Sequence, residues 1–330
     1  MSRKTAKIAC IFLILMFGAV GGFGAASEAK PTVDFADSNL KCAINKMLRR
    51  GDEVPITLEE LGGLKTLYAC GFGIRDLGGL EYATNLERLE LANNEVVSIL
   101  PLSGLINLKT LILENNKIED ASCLSSLTGL TKLDLSDNNI ENIDFMANLR
   151  HIGWFGCANN KVADISGLKG LNELNILDIS SNKIHSIEPL RGCTSLDWLD
   201  VSWNFVSDIS PLRDSTGIYE LWVVGNQVVD ISVLEHMPYL VDLNLNENKI
   251  QKIDVLGRLL LLRSLGLEKN AVSDISPLVN LKQLELLDIA YNPLSDYSVL
   301  KKLPRLEEVW VGEDASSKLS NVDNTIVECV

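Results

Sequence analysis

From Leu64 to Arg305, apolar and polar positions recur in a single frame: eleven consecutive units of 22 residues, with no insertion or deletion. The unit starting at Leu86 reads LERLELANNEVVSILPLSGLIN, and the one starting at Leu174 reads LNILDISSNKIHSIEPLRGCTS. Counted from the first residue of each unit, positions 1, 4, 6, 11, 14, 17 and 20 are apolar at 76 of 77 places, Ser215 being the exception. A fixed period of this length predicts a solenoid, in which each unit buries its apolar edge only by stacking on its neighbours.

Positions 3 to 7 alternate polar and apolar, the period-2 pattern of a strand with one buried face. Leu133 and Leu135 should point inward, and Lys132, Asp134 and Ser136 outward. Stacked units then pair these strands into a parallel sheet with neighbours about 4.8 Å apart. Position 9 is Asn in ten units, from Asn94 to Asn292. An inward carboxamide both donates and accepts, so it can satisfy the buried turn of its own coil and of the next. Pro101, Pro189, Pro211 and Pro277 all fall at position 16, which predicts tight turns or short 3₁₀ segments on the outer side instead of long helices.

The stretches NKIEDASCL, NKVADISGL, NFVSDISPL and NAVSDISPL follow an N-x-I-x-D-I-x-P-L theme. This theme resembles the 22-residue, internalin-like leucine-rich repeats of bacterial surface proteins, over roughly residues 33 to 311. The resemblance implies an α/β solenoid: a leucine-rich-repeat horseshoe with a concave parallel β-sheet, a 3₁₀/turn convex side and a helical N-cap. It specifies fold far more than function, because one fold serves many partners.

The expected organisation has four parts. Residues 1–29 read as a secretory signal: Arg3, Lys4 and Lys7, an apolar run from Ile8 to Val20, then a small-residue exit. The competing reading is an uncleaved membrane anchor, since no charge occurs from Ile8 to Ala26. Residues 30–63 form a helical N-terminal cap. In it Asp37 starts a helix with Leu40, Ile44, Met47 and Leu48 on one face, ended by Gly51. Thr57 and Glu60 form a capping box, with Ile56 and Leu61 as its hydrophobic staple. Residues 64–305 are the repeats. Residues 306–330 open with a further strand at Leu306, Val309 and Val311 and end as a short cap or a loose tail.

The whole chain carries 30 basic and 44 acidic side chains; without residues 1–29 it carries 27 and 43, a net charge of −16. Such an acidic surface repels phosphate backbones and excludes nucleic acid as a partner. Cys157 and Cys193 occupy core positions, whereas Cys70 faces outward where Cys42 of the cap can approach it. No cysteine or histidine spacing matches a metal site, and no cofactor is implied.

What the repeat leaves free is the outward face of the strands, and all five tryptophans fall there or at the strand exit. Trp154, Ile176 and Trp198 share position 3 of successive units and should form one ladder. Trp222 and Trp310 are at position 5 and Trp203 is at position 8, with Tyr219 and Val224 adjoining. Contiguous exposed aromatics mark interaction sites; the alternative is a stiffening ladder covered by the chain itself. Asp178, Asp200, Glu220 and Asp242 rim the patch, favouring a partner with a basic or apolar surface. The leading expectation is a secreted or surface-exposed module binding a protein. A glycan stacking on the same rings is the second reading. A hydrolase using Asp178 and Asp200, neighbours on adjacent strands, is the remote third.

Overall fold

The computed structural model describes residues 30–312 and the backbone of 326–329. The signal or anchor reading of residues 1–29 lies outside the described residues, as does most of the stretch after Gly312.

The cap comes first. Strand β1 (Thr32–Val33) pairs antiparallel with β2 (Ile56–Thr57), flanking helix α1 (Ser38–Met47), and helix α2 (Leu58–Gly63) follows. Asp37 starts α1 as expected: Oδ1 accepts from the N–H groups of Asn39 (2.8 Å) and Leu40 (3.1 Å). Its Oδ2 accepts from Arg75 (2.7 Å) and Asp76 (3.1 Å), tying the cap to the first repeat. Those N–H donors hold the Asp37 carboxyl below its ordinary range, although burial opposes them.

Leu40 and Ile44 are buried, but Met47 is 38% exposed. Asn45 is fully buried on another face of the helix, and its Nδ2 donates to the carbonyls of Asp52 (2.7 Å) and Val54 (3.0 Å). Thr57 and Glu60 form the reciprocal capping box. Glu60 also holds the Arg50 guanidinium, which lowers its carboxyl to about 2.

From β3 (Thr66–Tyr68) the chain lays down one three-residue strand per unit, spaced by 22 residues: β4 (Arg88–Glu90), β5 (Thr110–Ile112), β6 (Lys132–Asp134), β7 (Trp154–Gly156), β8 (Ile176–Asp178), β9 (Trp198–Asp200), β10 (Glu220–Trp222), β11 (Asp242–Asn244), β12 (Ser264–Gly266) and β13 (Leu286–Asp288). Then come β14 (Glu308–Val311) and β15 (Ile326–Cys329), and β3 to β15 form one thirteen-stranded parallel sheet in sequence order. β14 is the expected further strand. β15 has no signal in the repeat pattern, yet it pairs with β14 at the sheet's end.

Leucines at the repeat's apolar positions stack into one continuous core. Ser215 fits because its Oγ donates 2.9 Å to the Cys193 carbonyl, so the buried hydroxyl is satisfied. Cys157 and Cys193 are buried in the core, while Cys42 and Cys70 are separate free thiols. Phe72, which replaces Asn at position 9 of the first unit, packs against the core under the Lys46 ammonium, 4.8 Å from the ring centroid.

The asparagine ladder is present in all ten coils, but it runs the other way from the expectation. Asn204 Nδ2 donates to Val201 and Ser202 in its own coil (3.0 and 3.1 Å) and to Ile179 in the preceding one (3.0 Å). Its Oδ1 accepts from Ile184, again in the preceding coil, at 2.9 Å. The turn behind, not the turn ahead, carries the unpaired groups.

Each coil also has a short 3₁₀ turn on its outer side, and the four position-16 prolines all lie at the starts of such turns. The Asp of the D-I-S-P-L theme nucleates them: Asp208 Oδ1 accepts from the Ser210 N–H at 2.8 Å, and Asp230, Asp274 and Asp296 repeat the contact with Ser232, Ser276 and Ser298. This is the physical content of a motif that sequence comparison alone only counts.

Candidate functional site

The strand register places Trp154, Ile176, Trp198 and Glu220 side by side on β7 to β10. Alternation turns Phe155, Leu177, Leu199 and Leu221 inward, all fully buried, and leaves their neighbours on the open face. All four tryptophans of the expected patch stand outside the core. Trp154 and Trp198 are half-buried, Trp222 is 36% exposed and Trp203 53%.

The contacts differ from a simple position-3 ladder. Trp198 pairs with Trp222, at a ring-centroid distance of 5.7 Å and an interplanar angle of 58°. The Trp198 indole N–H donates 2.7 Å to Glu220 Oε2, so the ring is held by a charge-assisted bond from the next coil. Trp154 instead lies over Gly156, in the space a Cβ there would need, and the Lys132 ammonium sits 4.2 Å from its ring centroid. Trp203 has φ +55°, a left-handed conformation that Asn93, Asn115 and Asn159 take in the corresponding place. Gly225 makes room for it, since a Cβ at Gly225 would fall 2.5 Å from the Trp203 ring. Tyr219 is 41% exposed and Val224 half-buried beside them.

The acidic residues have structural work that sequence reading missed. Asp178 and Asp200 are paired across β8 and β9, but each carboxylate turns to the exit of its own strand. Asp178 Oδ1 accepts from the Ser180 N–H (3.0 Å) and hydroxyl (2.7 Å), and Asp200 Oδ1 from the Ser202 N–H (2.7 Å). Asp134 does the same with Ser136. Positions 5 and 7 thus form a capping pair, detectable in principle as a recurrent D-x-S. Glu220 accepts from the Trp198 indole, so one carboxylate of the rim is tied to the patch itself while keeping its charge. A groove of about 610 Å³ lies on the turn-bearing side, lined by Val229, Ser232, Glu235, Lys252 and Arg258, and shares no residue with the aromatic face.

Burial raises the Asp200 carboxyl to about 6, with Asp178 adding repulsion and Ser202 opposing the rise. The residue is 8% exposed. A carboxyl whose folded pKa lies above its unfolded value near 3.9 binds protons more readily in the native state. Stability therefore falls as pH rises between about 4 and 6, and the charged form stays unfavourable above that window. Asp200→Asn keeps an acceptor for Ser202 and removes the charge. It is expected to stabilise the protein by up to about 3 kcal/mol at pH 8 and by little near pH 4. Thermal melts of both forms across this range check it; equal melting temperatures at pH 8 would mean that Asp200 ionises at no cost.

A family model of leucine-rich repeats (two copies) matches residues 106–151. No curated protein matches the chain. Among solved structures, an internalin (InlF) of Listeria monocytogenes is similar with 28% identity and a TM-score of 0.78, over 92% of this chain and 98% of that one. Internalin C2 of the same organism is similar with 27% identity and a TM-score of 0.54, over 82% and 100%. The plant peptide hormone receptor RGFR1 shares the fold at 18% identity, with a TM-score of 0.64, over 81% of this chain and 52% of its own. With its 22-residue coils, helical cap and asparagine ladder, the chain is a leucine-rich-repeat solenoid similar to the bacterial internalins.

Proposed function

We propose that this chain is an exported, non-catalytic module that binds a protein ligand on its concave face, through Trp154, Ile176, Trp198, Trp203, Tyr219, Trp222 and Val224, beside Asp178, Asp200 and Glu220. The observation that carries the reading is the Trp198–Trp222 pair, fixed in place by Glu220 yet open to solvent at Trp222. A rigid aromatic anchor loses little entropy when a partner covers it. Trp203 adds to this. Its ring is exposed at position 8, where every coil takes the left-handed conformation, Glu247, Lys269 and Tyr291 included. RGFR1, a plant peptide hormone receptor with this fold, is solved in complex with RGF2, and that likeness supports a peptide or protein ligand here. Export rests on the reading of residues 1–29 as a secretory signal.

The test is affinity capture from cell-surface extracts with the wild-type chain and with Trp198→Ala/Trp222→Ala in parallel. Removing two anchor aromatics should weaken capture by about 2 kcal/mol or more, roughly thirtyfold. Equal capture by both forms would place the interface elsewhere. Capture abolished by soluble sugars would replace the protein ligand with a glycan.

A further inference from the structure

Two strands beyond Trp222, the concave face carries a depression of about 300 Å³ centred on Gly266. Its origin is a missing side chain. At position 5 the flanking coils carry Asn244 and Asp288, whereas β12 has glycine in the same register. The gap is shaped by polar atoms: a Cβ on Gly266 would lie 2.5 Å from Asn244 Oδ1 and 2.6 Å from Asn246 Oδ1. Both carboxamides are held oxygen-first by backbone N–H groups, Asn246 donating to Asn244 at 3.1 Å and Glu268 to Asn246 at 2.8 Å. Asp288 is fixed by the Ala290 N–H (3.1 Å) and Asn246 Nδ2 (3.3 Å). Glu268 lines the same space, and Leu286 and Trp310 supply its apolar walls.

We propose that this depression is an anchor pocket for a lysine side chain of the protein ligand; it rests on the reading that such a ligand lies along the concave face. The aliphatic stem packs on Leu286 and Trp310. The ammonium, which has three donors and no acceptor, meets carboxamide and carboxylate oxygens that arrive from three coils. Charge agrees: Glu268 and Asp288 line the space, and the neighbouring Lys269 ammonium is already engaged by Glu247 (2.7 Å) and Glu268 (3.3 Å). Burial and Glu268 raise the Asp288 carboxyl, a penalty that an incoming cation relieves.

The experiment titrates the full chain with n-butylammonium and reads the five tryptophan indole N–H signals by NMR, with n-butanol and methyl glucoside as neutral controls. The expected result is a saturable shift of the Trp310 signal by butylammonium alone. Gly266→Ala, which fills the floor, should abolish it. Asp288→Asn, which keeps the shape, should weaken it by about tenfold or more. Silence of Trp310 toward butylammonium, an equal response to either neutral probe, or an unchanged titration in both variants would overturn the pocket. Because no protein partner enters this titration, its failure leaves the capture result standing. Conversely, a normal titration beside capture that ignores Trp198 and Trp222 would refute the aromatic interface alone.

Discussion

Asn204→Ala is expected to destabilise the protein by about 3 kcal/mol or more, although it removes no apolar contact and no charge. The side chain is 5% exposed and joins two coils. Its loss strands the Ile184 N–H and withdraws a donor from Ile179, Val201 and Ser202, all in the buried turn. Each backbone group left unpaired away from water costs about 1–3 kcal/mol, and alanine offers neither donor nor acceptor. In a solenoid the damage stays local, because each coil touches only its neighbours. Hydrogen exchange should therefore quicken first at Ile184 and Val206, whose amides bond Asn204 and the next rung, Asn226. Urea denaturation measures the loss. A change below about 1 kcal/mol would mean that water takes over the carboxamide's bonds and that the ladder is dispensable.

That ladder also shows where sequence reading succeeds and where it stops. The apolar frame fixes which face of every strand is buried, because a one-residue slip would reverse all of them, so Leu199 inside and Trp198 outside followed directly. Asn at position 9 announced a buried turn, but its partners in the preceding coil depend on how the chain rises from coil to coil, which no single unit encodes. The Glu220 latch on Trp198 was invisible for a similar reason: the two residues are 22 apart in sequence and adjacent only through the strand register. Gly266 says nothing alone. Its meaning comes from Asn244, Asn246 and Asp288 around it. β15 was missed because Ile326–Cys329 stands outside the repeat frame.

Leu199→Ala and Trp198→Ala, neighbours on one three-residue strand, should fail in opposite ways. Leu199 is fully buried between Leu177 and Leu221 on the adjoining strands. Truncation removes core contacts that stacked coils relax poorly to refill, an expected loss of about 2–5 kcal/mol, with ligand capture preserved in the fraction that stays folded. Trp198 stands on the other side of the same strand, half-buried against Trp222 and bonded to Glu220. Its truncation should leave the melt within about 1 kcal/mol of wild type, since an outward residue bears on no core cavity, and should weaken capture by about 2 kcal/mol or more. The latch sharpens the contrast, because Trp198→Phe keeps an aromatic ring but loses the indole N–H. If Glu220 serves to hold the ring for a partner, the phenylalanine form folds normally and binds at an intermediate strength. Should Trp198→Ala instead lower the melting temperature as far as Leu199→Ala does, the paired rings brace the sheet itself, and the concave interface must lie elsewhere on the face.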